Sequence, residues 1–244
     1  ARFVIVTAKG RAELDSVEHH DQVTIRRVGF GTRLDKWFLP ILGPLVALRE
    51  MRASKKTTLW GMMISQGTLG AYFLKLLRPR IPLVVTLQEG DSEEYLERAR
   101  FGLIDYFWRA VLQRADGVSA ISEYLASRAS KKGYQKKVEI IPNGVSEQFV
   151  SESFERPRKE NFGIQPDEQV ILSVSRLVEK NNIDNLLRAV AILLKEEVPL
   201  RLILAGDGKD KEKLIKLAKM LDIGKSVILA GHITQENILF YYKL

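Results

Sequence analysis

Arg176 and Lys180 stand four residues apart directly after a short apolar run, Val170-Ile-Leu-Ser-Val-Ser175, and Asn181 follows them. One strand-loop-helix unit later comes Leu204-Ala-Gly206-Asp207-Gly208. An arginine offers a planar fork that pairs with two phosphate oxygens at once, and a lysine offers a mobile point charge. A Gly-Asp-Gly turn lets main chain come close to a ligand. Together these types suit a diphosphate.

Elements on either side must hold those residues in place. The apolar run 170–175 has the composition of a strand buried on both faces of a parallel sheet. A helical stripe of Ile183, Leu186, Leu187, Val190, Leu193 and Leu194 opens near Asn182, so Arg176, Lys180 and Asn181 fall in or beside a strand-to-helix loop. The N–H groups of such a helix start favour an anion. Residues 200–205 repeat the pattern, with a helix expected from about 209 to 221. A third strand, 226–230, leads to Gly231-His232-Ile233, with Thr234 placed to cap the next helix. Three strand ends are thus expected on one edge, where doubly wound sheets bind ligands. Plainer roles stand beside these: Arg176 as a loop residue paired with a carboxylate, Gly206 and Gly208 as simple turn formers, Asp207 as a helix cap, and Asn143-Gly144 as a loop after strand 138–141.

Composition narrows the chemistry. The 244 residues suffice for two modest domains, and 45% hydrophobic with 28% charged residues are globular values. There is no cysteine, hence no disulfide, thiolate nucleophile or thiolate zinc site. His19, His20 and His232 form no metal-ligand spacing, and His19-His20 reads as a solvated loop. Neither the Gly-x-Gly-x-x-Gly fingerprint nor the phosphate loop ending in Gly-Lys-Ser/Thr is present, which argues against nicotinamide and P-loop chemistry. No nucleophile elbow or acid-base carboxylate pair stands out.

The net charge of +8 is uneven: residues 26–82 hold eleven Lys and Arg against Asp35 and Glu50. Within that stretch, residues 33–48 set Trp37, Phe38 and several aliphatic residues among flanking cations, with Arg49, Arg52, Lys55 and Lys56 following. Two readings stand: a helix seated at an anionic membrane surface, or a buried helix with a solvated basic face. Residues 37–48 are too short to span a bilayer and contain Pro40, Gly43 and Pro44; the uncharged window 57–74 reads as a strand followed by a helix. No spanning segment or signal peptide is expected. No nucleic-acid motif accompanies the basic stretch, so nucleic acid is not an expected partner.

Further strands are expected over 3–6, 23–26, 59–64, 83–86, 118–121 and 138–141, and helices near 40–53, 68–78, 93–114 and 123–132. Ser122 suits an N-cap, and Gly133 suits a helix stop. The polar stretch 146–169, with Pro157, Gly163 and Pro166, reads as a linker. The expected division is 1–150 and 151–244.

Ile141-Pro-Asn-Gly-Val145, Ser175-Arg-Leu-Val178 with Ile183-Asp184 and Leu186-Leu187, Leu204-Ala-Gly-Asp-Gly208 and Gly231-His-Ile233 occur in an order and spacing that resembles the retaining glycosyltransferases of family 4. The resemblance covers most of 83–244, and 1–82 by element order alone. It implies an α/β chain of two Rossmann-like domains with parallel sheets facing a cleft (the GT-B type), the first taking the acceptor and the second the nucleotide sugar. It implies transfer of a sugar from a nucleotide-diphosphate donor to an acceptor hydroxyl, on a glycan or a lipid, with retention and without a bound metal. In that frame Arg176 and Lys180 stabilise the leaving diphosphate, main chain at Gly206, Asp207 and Gly208 approaches the donor, Ile233 packs near the base, and Gln88, Glu89, Gly90, Asn143 and Gly144 line the cleft.

The chain departs from the family pattern in two places. The usual phosphate-binding lysine position is occupied by Asn181, with Lys180 one residue earlier, so either residue stands for that role. Gln88-Glu89-Gly90 replaces a frequent His-Gly. Both domains are expected to be incomplete, lacking a first strand with its glycine loop and a paired-glutamate segment, and the polypeptide alone is expected to have little activity. The expected location is cytoplasmic and peripheral at the inner face of a membrane. A sugar-nucleotide epimerase of the same architecture and a noncatalytic nucleotide-binding module remain as alternatives.

Overall fold

The computed structural model describes residues 2–52, 56–88, 102–145 and 158–244. The chain divides into two compact units, Ala1–Gly144 and Val145–Leu244. The division expected near residue 150 lies among residues 146–157, outside those described.

In the first unit, β1 (Phe3–Ala8), β2 (Val17–His20) and β3 (Val23–Val28) form a sheet in the order β1-β3-β2. β1 runs parallel to β3, and β2 runs antiparallel to it. The histidine pair is therefore not in a loop: His19 and His20 lie on an edge strand, in register with Thr24 and Val23. Polar side chains suit that edge because only one side of the strand is paired. Arg27 pins it through a 2.6 Å ion pair with Glu18.

α1 (Asp35–Met51) follows and contains both Pro40 and Pro44. A helix near 40–53 was expected, yet α1 begins five residues earlier. Each proline removes an internal hydrogen bond and would ordinarily break a helix. Here Asp35, Leu39, Gly43 and Pro44 are buried, and Gly70 of the next helix packs on Leu39 O and Pro44 Cδ. Tertiary packing overrides local propensity.

The second sheet of this unit, β4-β5-β6-β7, is wholly parallel and comprises β4 (Leu59–Met62), β5 (Leu83–Leu87), β6 (Gly117–Ala120) and β7 (Glu139–Ile140). Between its strands run α2 (Gln66–Leu77), α3 (Leu103–Arg114) and α4 (Glu123–Lys131). Leu83, Val85, Leu87 and Val118 pack with Leu74, Trp108, Val111, Leu112 and Leu125 as one core. Each fully buried large apolar side chain contributes roughly 1.5–3 kcal/mol. Ser122 caps α4 by accepting from Leu125 N, and Gly133 ends it at φ +101°. Such a left-handed residue is the usual stop after a helix.

The second unit holds β8 (Gln169–Val174), β9 (Leu200–Ala205) and β10 (Val227–Gly231) in a parallel sheet of order β10-β9-β8. α5 (Ile183–Lys195), α6 (Lys211–Met220) and α7 (Gln235–Tyr242) alternate with them. Leu187, Val190, Leu202, Leu204 and Leu214 lead its core. The βαβ alternation and parallel pairing make this a Rossmann-like unit.

Candidate functional site

The carboxyl ends of β8, β9 and β10 meet through main-chain bonds. Ser175 N donates to Ala205 O at 3.0 Å, and Gly206 N donates to Gly231 O at 2.7 Å. Beyond these ends, Leu177 N donates to Asp207 O at 3.0 Å and Leu177 O accepts from Asp210 N at 3.1 Å. The buried Leu177 side chain anchors this junction in the core. The loops after β8 and β9 are therefore joined main chain to main chain.

That junction explains both glycines. Gly206 sits at φ +149°, and a Cβ there would lie 1.9 Å from Ser175 O; a Cβ on Gly208 would lie 2.2 Å from Leu177 O. Neither position has room for a side chain. Asp207 does not cap α6: its Oδ1 accepts from Gly208 N at 2.7 Å, and Oδ2 stands 4.0 Å from Lys211 Nζ. Ser175 Oγ and Asp210 Oδ2, on the two facing loops, are buried without hydrogen-bond partners among the described residues.

Arg176 emerges from this platform with its side chain exposed. Its carbonyl accepts from Val178 N at 2.9 Å and from Asn181 Nδ2 at 2.7 Å. A 3-10 turn over Glu179–Asn181 carries Lys180, also exposed, and ends at Asn182 with φ +56°, where α5 begins. Asn tolerates that left-handed conformation better than most residues. The Asn181 amide is thus bonded to its own loop, while Lys180 is exposed four residues after Arg176. Ile233, half-buried, follows the end of β10, and Thr234 occupies the N-cap of α7 without a side-chain bond to it.

In the first unit, Gln88 follows β5 and Asn143 follows β7, and Gln88 Nε2 lies 3.4 Å from Asn143 Oδ1. Two residues singled out separately in the sequence are thus neighbours at the carboxyl edge of one sheet. Gly144 is exposed with open space around its Cα. Glu89 and Gly90 lie outside the described residues.

One organising residue escaped the sequence reading. Asp35, fully buried at the start of α1, accepts from Gly10 N, Phe30 N, Gly31 N, Thr32 N and Thr32 Oγ1 at 2.7–3.1 Å. Burial by itself raises its pKa, but the bonds from Phe30, Thr32 and Gly31 outweigh it and hold the carboxyl well below the usual range. It ties the loops after β1 and β3 to the helix start. The signal was Gly29-Phe-Gly-Thr32 followed by an acid in a first helical turn.

Among the described residues, no three His, Cys, Asp or Glu side chains gather as metal ligands, and no helix is long and apolar enough to cross a membrane.

The chain belongs to the group 1, family 4 glycosyltransferases. Residues 1–144 match the glycosyl transferase 4-like domain, and residues 155–244 match glycosyl transferases group 1. It is 35% identical over 195 residues to alpha-monoglucosyldiacylglycerol synthase of Streptococcus pneumoniae, which takes in 73% of this chain and 42% of the relative. The enzyme of the same name from Acholeplasma laidlawii is 25% identical over 195 residues, 74% of this chain and 48% of its own length. The chain thus spans about half the length of these curated relatives.

Two solved structures share the fold. Sucrose-phosphate synthase from Thermosynechococcus elongatus superimposes with a TM-score of 0.76 at 19% identity, covering 98% of this chain and 63% of that one. HepE from Anabaena, solved in complex with UDP, gives 0.67 at 17% identity, with 96% and 70% covered. The fold is that of the GT-B glycosyltransferases, built of Rossmann-like units whose sheets are parallel apart from the antiparallel edge strand β2. The epimerase alternative finds no support among these relatives.

Proposed function

We propose that this chain is part of a retaining glycosyltransferase that moves a sugar from a nucleoside-diphosphate donor to the hydroxyl of a lipid acceptor. In that reaction the acceptor oxygen bonds to the anomeric carbon, and the bond from that carbon to the diphosphate breaks with its electron pair. The acceptor proton passes to the leaving diphosphate, on which negative charge grows as the bond breaks. Arg176 and Lys180 stabilise that charge, the electrostatic form of catalysis. The second unit takes the donor, with Asn181, Gly206, Asp207 and Gly208 shaping the loops around the diphosphate and Ile233 beside the base. The first takes the acceptor, with Gln88, Asn143 and Gly144 at its sheet edge. No metal is required where two cations already serve the diphosphate.

The observation that carries this reading is the braced loop. Arg176 leaves a main-chain platform at the carboxyl edge of β8-β9-β10, its carbonyl held by Asn181, so the backbone that carries its side chain is fixed before any ligand arrives. A lipid acceptor is favoured by the relatives' names: two are alpha-monoglucosyldiacylglycerol synthases, and a third, from Mycolicibacterium smegmatis, is a phosphatidylinositol monomannoside mannosyltransferase. A lipid acceptor fits a peripheral position at a membrane, and a nucleotide-sugar donor fits its cytoplasmic face.

Calorimetric titration with UDP, GDP and ADP tests the donor site. Saturable binding to one of them, weakened roughly ten- to a hundredfold by Arg176→Ala, is expected for the loss of charge-assisted bonds. Binding that ignores the substitution would remove Arg176 from the site.

A further inference from the structure

Asp207 puts a carboxylate where the second unit otherwise gathers cations and main-chain N–H groups. Its main-chain carbonyl accepts from Leu177 N at 3.0 Å, so Asp207 and Arg176 leave neighbouring positions on two joined loops. The Asp207 side chain is 57% exposed, and its Oδ2 stands 4.0 Å from Lys211 Nζ, a separation at which an exposed pair neutralises little. Oδ1 accepts from Gly208 N at 2.7 Å, which sets a negative charge against that N–H. The junction itself does not need the charge. An amide oxygen would serve Gly208 N equally, and the two loops are joined through main chain.

We infer that the Asp207 carboxylate discriminates between the sugar-bearing donor and the free nucleoside diphosphate, and favours release of the latter. The inference rests on the donor site proposed above and adds a role for this side chain. In the donor both phosphates are esterified, and each carries one negative charge. Transfer breaks the bond between the anomeric carbon and the terminal phosphate oxygen, and the diphosphate leaves with the acceptor proton. A terminal phosphate has a second pKa of about 6, so above that pH it passes the proton to water and gains a further negative charge. Arg176 and Lys180 attract donor and product alike, whereas a nearby acid opposes the product more. Two like charges about 7 Å apart beside water weaken binding by roughly three- to tenfold. That suffices to bias the exchange of product for fresh donor without abolishing either complex.

Calorimetric titration of the 244-residue chain at about pH 8 with UDP and UDP-glucose, with GDP and GDP-mannose, and with inorganic pyrophosphate tests the discrimination. Asp207→Asn keeps an oxygen for Gly208 N and removes the charge. It is expected to tighten pyrophosphate and the free diphosphate of the pair that binds by roughly three- to tenfold, and to leave the sugar ester within about twofold. The gain should shrink with added salt. Glu212→Gln makes the same change of charge at an exposed position in the first turn of α6 and should leave the ratio of the two affinities as it is. Unchanged affinity for the free diphosphate in Asp207→Asn, or equal tightening of both members of the pair, would overturn the inference and leave Asp207 as a turn former. Binding that Arg176→Ala weakens while Asp207→Asn leaves it unchanged overturns the discrimination alone. A chain that binds none of these probes overturns the donor site with it.

Discussion

The Asn181 side-chain amide donates to the main-chain carbonyl of Arg176 at 2.7 Å. An asparagine at a position where the family commonly has a cation thus braces the arginine rather than duplicating it. In the proposed site, positioning falls to Asn181 and charge to Arg176 with Lys180.

Asn181→Ala should therefore weaken nucleoside-diphosphate binding by roughly 2- to 10-fold, the worth of one net hydrogen bond. In an Arg176→Ala background the same change should cost almost nothing, because the residue it braces is gone. Calorimetry on the four proteins of that cycle checks this. Additive losses would mean that Asn181 touches the ligand itself.

Gly206→Ala and Gly208→Ala should each destabilise the second unit by roughly 1–3 kcal/mol, since the new methyl meets main chain rather than a side chain that can move. Gly144→Ala, with nothing near its Cα, should leave stability unchanged. Urea unfolding separates the two cases. A stable Gly206→Ala chain that had lost only ligand binding would shift that glycine's role from packing to contact.

Asp35→Asn should lower the thermal midpoint of the first unit, because an amide nitrogen would face N–H donors. The folded pKa of Asp35 lies below its unfolded value of 3.8. Its contribution is therefore fully present above that value and declines as pH falls towards the folded pKa. Acid titration of stability should show a shallower loss below 3.8 in the variant than in the parent chain. Identical acid limbs would show that the buried carboxylate does not hold these loops.

Nucleoside-diphosphate binding should be the same with excess magnesium and with EDTA if Arg176 and Lys180 supply the positive charge as proposed. A loss of roughly tenfold or more in EDTA would assign part of that charge to a cation.

Much of the fold was legible from the sequence. The strands at 83–86, 170–175 and 200–205 are apolar runs with turn residues at their ends, and each was found within a residue or so. β2 was missed because Val17-Glu-His-His20 has no apolar alternation and exists as a strand only through its pairing with β3. The start of α1 was placed late because its true start depends on Asp35 and the loops it gathers, which no local pattern shows. Arg176, Lys180 and the glycines were visible as residue types at strand ends. The Asn181 brace and the Gln88 and Asn143 proximity were not, since both depend on turn geometry and on strands far apart in sequence.

The bonded loops at 175–177 and 206–210 bear on any attempt to redesign donor preference. Two strand-end loops that share main-chain hydrogen bonds must keep their lengths together, since an insertion in one would strand donors and acceptors in the other. Variation aimed at a new base belongs in side chains carried outside that junction, such as Ile233, where residues can be exchanged without re-threading the backbone. A library built on loop length at this edge would be spent mostly on chains that do not fold.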